Sequence, residues 1–148
     1  MAIDSKTGGN VKQVVPFLSV SDIERSVRYY VEGLGFTMKH QWADRGKLRW
    51  CWLAMDGAAL MLQEYSKEGH GAWVPSGKLG EGVTLFFICQ DAIAIYRDVI
   101  SRGLEASQPQ VGNAMWVTCL SDPDGYRISF ESPTDTPEDT TLSEAQGA

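Results

Sequence analysis

From Lys12 to Val20 apolar side chains occupy both registers of a two-residue alternation, with Val14, Pro16, Leu18 and Val20 on one face and Val15, Phe17 and Ser19 on the other. That pattern predicts a strand covered on both sides. Pro16 lacks a backbone N–H, which assigns the strand to an edge or a bulge. Ser21-Asp22-Ile23-Glu24 then has the form of a capping box, the Ser21 hydroxyl accepting from first-turn amides and Glu24 reaching back. Ile23, Val27, Tyr30, Val31 and Leu34 recur at helical spacing, and Gly33 and Gly35 supply the stop. Phe36 to Trp42 and Leu48 to Met55 predict a hairpin around Ala43 to Lys47. Asp56-Gly57 predicts a type I′ turn into a further antiparallel strand, Ala58 to Glu64.

After a Gly-, Ser-, Lys- and Pro-containing stretch from Tyr65 to Gly82, the cycle restarts. Val83 to Cys89 is a strand, and Asp91 is the N-cap of a helix carrying Ile93, Tyr96, Val99 and Ile100, closed by Gly103. Leu104 to Gln108 and Ala114 to Leu120 are the next strands, turned by Pro109 to Asn113. Asp122-Pro123-Asp124-Gly125 is a dense turn signal before a last strand, Tyr126 to Glu131. Each half is therefore βαβββ, and the halves repeat: Leu34-Gly35-Phe36 through Asp56-Gly57 recurs as Arg102-Gly103-Leu104 through Asp124-Gly125. The expected class is α+β. A single domain over residues 12–132 comprises module one (12–64), a linker (65–82) and module two (83–132). Residues 1–11 form a flexible N-terminus, and residues 133–148 an acidic tail that is flexible or docked on a partner.

Composition narrows the function classes. The 148 residues have a net charge of −6, but the tail holds Asp135, Glu138, Asp139 and Glu144 and no Lys or Arg, so the body is close to neutral. Nothing there favours nucleic acid. No apolar run approaches the roughly 20 residues of a membrane span, and Met1 to Asn10 has no secretory pattern, so the expectation is a cytoplasmic protein. Cys51, Cys89 and Cys119 are three in number, widely spaced and set in apolar segments, which predicts reduced thiols rather than a disulfide framework or zinc site.

The tandem βαβββ modules, the opening strand running into Val20-Ser21-Asp22, the helix ending at Leu34-Gly35-Phe36 and the closing Asp122-Pro123-Asp124-Gly125-Tyr126-Arg127-Ile128 together resemble the vicinal oxygen chelate superfamily of glyoxalases, bleomycin-resistance proteins and extradiol dioxygenases. The resemblance covers about residues 12 to 132. It implies that each module is a curved mixed sheet with a helix on its convex face, that the concave face holds a ligand or a divalent metal, and that the protein is a homodimer. Metal-dependent relatives place His or Glu on the first and last strands of each module. The matching positions here are Val15 and Thr84 on the first strands and Met61 and Ser129 on the last, none of which suits such a metal. A shift of two residues brings in Gln13, Gln63 and Glu131 but no histidine. His40 and His70, the two histidines of the chain, lie elsewhere and read as plain surface or loop residues.

The family register puts Val15, Phe17, Ser19, Ala59, Met61 and Gln63 on the cleft side of module one, and Thr84, Phe86, Ile88, Arg127, Ser129 and Glu131 on that of module two. Such a lining, apolar with polar groups at its ends, is that of a small-molecule pocket. Trp50 and Trp52 share one strand face, and Trp42, Trp73 and Trp116 lie within reach of the same space; aromatic faces bind planar or cationic molecules. Arg127 and Glu131 either fix a charged ligand group or pair with each other. The candidate ligand-binding set is therefore Val15, Phe17, Trp50, Trp52, Met61, Gln63, Trp73, Thr84, Phe86, Trp116, Arg127, Ser129 and Glu131, with no catalytic residue, metal or cofactor expected. The function expected is sequestration of an apolar or aromatic small molecule, in the manner of antibiotic-resistance members of the family. The alternatives are a metal-dependent lyase, isomerase or dioxygenase with unorthodox ligands, and a non-catalytic structural dimer. No Ser-His, Cys-His or phosphate-loop constellation stands out.

Overall fold

The computed structural model describes residues 8–69 and 71–147. Module one runs β1 (Phe17–Val20), α1 (Ile23–Val27), β2 (Thr37–Asp44), β3 (Lys47–Met55) and β4 (Ala58–Glu64). Module two runs β5 (Thr84–Ile88), α2 (Ala92–Ser101), β6 (Gln110–Gly112), β7 (Met115–Ser121) and β8 (Arg127–Pro133), and α3 (Leu142–Ala145) follows. The strands form two four-stranded mixed sheets with the orders β1-β4-β3-β2 and β5-β8-β7-β6. In each, the first strand pairs in parallel with the last and the remaining pairs are antiparallel.

The first strand is shorter than its hydrophobic pattern. Pro16 contributes only its carbonyl, which accepts from the Met61 N–H at 2.8 Å, and regular pairing starts at Phe17. The cap of α1 is Asp22, whose carboxylate accepts from the Arg25 N–H at 3.2 Å. Ser21, expected to be the cap, instead turns to module two. Glu64 supplies a second acceptor at the helix start, for the Ile23 N–H at 3.1 Å. Beyond Val27 the helix widens into a π-helical turn, Arg28–Gly33, closed by a bond from the Leu34 N–H to the Tyr29 carbonyl. In α2 the cap is Asp91, as the sequence predicts.

Two turns differ from expectation. At Asp56-Gly57 only Asp56 is left-handed, with φ 50°, so the two-residue hairpin is not type I′. Residues 104–108 lie outside the sheet, and the expected strand there is replaced by β6, which turns into β7 through Asn113 (φ 53°) and Ala114 (φ 63°). The acidic tail is what makes so short a strand viable. The Thr140 carbonyl accepts from the Val111 N–H at 2.9 Å, and Val111 in turn accepts from Asp139 at 2.9 Å. The Glu138 carboxylate receives the Asn113 and Ala114 amides. Leu142 then enters a buried cluster with Ala92, Val111 and Trp116. The tail thus docks on its own module two.

The main core is one continuous cluster under the helices, in which Leu18, Val20, Leu53, Leu60 and Leu62 of module one and Leu85, Ile128 and Phe130 of module two gather with Ile23, Tyr30 and Phe36. Two structurally equivalent junctions join the modules. At the first, the buried Asp122 carboxylate accepts from the Tyr30 hydroxyl at 2.7 Å and from the Tyr126 and Asp124 amides at 2.8 and 2.9 Å. Tyr126 donates its hydroxyl to the Ser19 carbonyl, Ser21 donates to Asp124, and Arg25 pairs with Asp124 at 3.6 Å. Burial pushes the carboxyl of Asp122 and the phenol of Tyr30 upward in pKa. At the second junction the repeat places Ala54 and Ala58 where Asp122 and Tyr126 stand. Val99, as far beyond its cap Asp91 as Tyr30 is beyond Asp22, completes the replacement. The bulk and the buried carboxylate network of the first junction are missing there, Arg102 instead donates to the Gly33 carbonyl at 3.0 Å, and a groove of about 1260 Å³ lined in part by these three residues remains.

Candidate functional site

Because side chains alternate along a strand and directly paired residues project on the same side, the strand registers define one outward face per sheet. Leu18, Val20, Cys51, Leu53, Leu60 and Leu62 point to the core, and burial raises the Cys51 thiol to about 11. The opposite face of sheet one carries two cross-strand rows. Phe17, Met61, Trp52 and His40 form the first, and Ser19, Gln63, Trp50 and Trp42 the second. Phe17 and Trp42 are 51% and 56% exposed, and Trp50 and Trp52 are half-buried between them. His40 meets Trp52 edge-on at 6.2 Å between ring centroids. At the Gln63 end the linker folds back: Trp73 donates its N–H to the Ser66 carbonyl at 2.8 Å and packs edge-on against Tyr65. A Cβ on Gly71 would lie 3.8 Å from the Gln63 amide nitrogen, which sets the loop beside the aromatic face. His70 lies outside the described residues.

The open face of sheet two carries three rows: Thr84, Arg127 and Ser121; Phe86, Ser129 and Cys119; Ile88, Glu131 and Val117. Between them and residues 105–107 lies a cavity of about 650 Å³. Arg127 and Glu131 do not pair with each other. Ser129, itself buried, donates its hydroxyl to Glu131 at 2.6 Å, while Arg127 forms no ion pair among the described residues.

Several sequence-predicted residues therefore come together and others do not. Phe17, Met61, Gln63, Trp50 and Trp52 share the first face, and Thr84, Phe86, Arg127, Ser129 and Glu131 the second. Val15 precedes β1, and it is Phe17, two residues on, that pairs with Met61. Trp116 belongs to the other face. It is 9% exposed and packed with Val111 and Leu142, because β7 turns Trp116, Thr118 and Leu120 inward. Trp42, expected within reach of the same space but not among the candidate residues, and His40, expected to be a plain surface residue, both join the aromatic rows. Their position opposite Trp50 and Trp52 in the expected hairpin is the signal that could have found them. At Met61, Thr84 and Ser129 the donors are a thioether and two hydroxyls, one of them committed to Glu131. With an aliphatic Val15, that set does not fit a divalent cation. No cluster of three His, Cys, Asp or Glu side chains suited to a metal occurs among the described residues, and no helix among them is long and apolar enough to cross a membrane.

Tandem βαβββ modules, each a mixed sheet with its helix, define a class of duplicated small-domain proteins. The family model described as the Glyoxalase/Bleomycin resistance protein/Dioxygenase superfamily matches residues 11–130, and the chain belongs to that superfamily. Among solved structures it is similar to TnmS3, an antibiotic binding protein from Streptomyces sp. CB03234, with 25% identity, TM-score 0.67, and coverage of 85% of this chain and 99% of that one. It is also similar to a glyoxalase/bleomycin resistance protein from the same Streptomyces, with 25% identity, TM-score 0.60, and coverage of 78% and 96%. TioX from Micromonospora sp. ML1 shares the fold at 18% identity and TM-score 0.68, covering 83% and 99%. No curated protein matches the chain.

Proposed function

We propose that this protein is a metal-free small-molecule-binding protein that sequesters an apolar or aromatic compound on its open sheet faces. The observation that carries the reading is the aromatic face of sheet one, where Trp42 pairs with Trp50, Trp52 lies one row over with Met61 between it and Phe17, and Phe17 and Trp42 stay about half exposed among the described residues. Full burial of such a side chain contributes about 1.5–3 kcal/mol, and a planar ligand covering the exposed half of Phe17 and Trp42 recovers part of that. The antibiotic-binding description of TnmS3 supports the same reading.

A second copy of the chain completes the site. The free edges of β1 and β5 bear exposed apolar residues, Phe17 on one and Phe86 and Ile88 on the other, so pairing two molecules across these edges covers them and encloses the ligand between open faces. Binding alone asks for no nucleophile, base or metal, and the protein performs it in the cytoplasm. Titration with a panel of aromatic antibiotics and related natural products, followed by intrinsic tryptophan fluorescence, tests the proposal. Saturable quenching that Trp50→Ala weakens by about tenfold or more is expected. A panel that leaves the emission unchanged refutes it.

A further inference from the structure

We infer that the ligand is an elongated aromatic compound with an acidic group at one end and a basic nitrogen at the other, read by Arg127 and Glu131. The inference rests on the binding function proposed above and specifies its chemistry. The three rows of sheet two differ in kind. Arg127 is flanked across the strands by the hydroxyl residues Thr84 and Ser121, a setting of donors for a carboxylate or phenolate. Ser129 has Phe86 and Cys119 beside it, a row without charge. Glu131 pairs across the strands with the apolar Ile88 and Val117, so beyond its bond from Ser129 its row offers no cation and a protonated amine is the natural complement.

Two features show that these groups remain available. Arg127 lines the 650 Å³ cavity, as does Glu105, yet forms no ion pair with it or with any other described residue. Glu131 lines it too, with one oxygen fixed by the buried Ser129 hydroxyl at 2.6 Å, which orients the carboxylate and leaves its second oxygen for a ligand. Four residues of strand separate their backbones by about 13 Å at about 3.3 Å per residue, the length of a two-ring aromatic core with a substituent at each end. Sheet one offers no carboxylate, Lys or Arg in its two aromatic rows, so stacking falls to one module and ionic recognition to the other.

Four biphenyl probes test the division: biphenyl-4-methanol, biphenyl-4-carboxylate, 4-(aminomethyl)biphenyl and 4′-(aminomethyl)biphenyl-4-carboxylate, each titrated by tryptophan fluorescence at low and high salt. The zwitterion is expected to bind at least tenfold more tightly than the neutral alcohol, with the advantage shrinking at high salt. Arg127→Gln is expected to abolish the contribution of the carboxylate alone, and Glu131→Gln that of the amine alone. Gln at position 131 keeps an acceptor for Ser129, so the fold is preserved, which circular dichroism verifies. Equal affinity for all four probes, or a zwitterion advantage that survives both substitutions, overturns the inference while leaving aromatic binding intact. No fluorescence response to any probe counts against the binding function as well.

Discussion

At Asp122 one buried carboxylate receives three donors, Tyr30 from module one and two amides of its own turn. Removing the phenol hydroxyl with Tyr30→Phe strands a carboxylate oxygen in the core and is expected to cost about 1–3 kcal/mol in urea unfolding. Burial raises the pKa of Asp122 in the folded state, so ionising it opposes folding. Its contribution is most favourable below the unfolded carboxyl value of about 3.9 and is lost as pH rises through the folded value. Asp122→Asn retains an acceptor for the amides and does not titrate. Its stability relative to the parent is therefore expected to improve from pH 4 toward neutrality; the opposite slope would show that the hydrogen bonds outweigh burial. The aromatic rows belong to the same scale. Trp50 and Trp52 were legible as neighbours from alternation alone, whereas Trp116 was not, because Met115, Val117 and Cys119 on one register of β7 are as apolar as Trp116 and Leu120 on the other. A strand apolar on both faces does not declare which side is core.

Among the elements, helices α1 and α2, the hairpin of β2 and β3, and the first and last strands of each module were readable because their spacing and punctuation agree. The tail was not. Leu142 is an isolated apolar residue among acidic and hydroxyl side chains, and only tertiary contact with Val111 and Trp116 gives it a partner. Strand β6 escaped for the same reason, since its three residues are held by tail backbone rather than by their own pattern. Leu142→Ala is expected to lose about 2–4 kcal/mol, with a red shift in the emission of Trp116, measurable by thermal unfolding and fluorescence. At the neighbouring turn, Ala114 holds φ 63°, a conformation costing a non-glycine residue about 1–2 kcal/mol. Ala114→Gly is expected to recover part of that, raising the melting temperature by a few degrees in calorimetry.

For the whole molecule, duplication has produced unequal halves. One junction is closed by Tyr30, Asp122 and Tyr126, while its counterpart at Val99, Ala54 and Ala58 stays open as a groove. The open faces have likewise diverged into an aromatic surface and a charged one. Two such surfaces on one chain, each beside an exposed apolar edge, favour a paired assembly. Light scattering is expected to give a two-chain mass that Ile88→Asp reduces to one. The aromatic face of sheet one is the proposed seat of the small molecule. Its most direct test is fluorescence titration of the Trp116→Phe protein, which silences the buried indole, against the aromatic panel. Saturable quenching that disappears when Trp50 and Trp52 are both replaced by Ala is expected, and unchanged quenching in that double variant would place the ligand elsewhere.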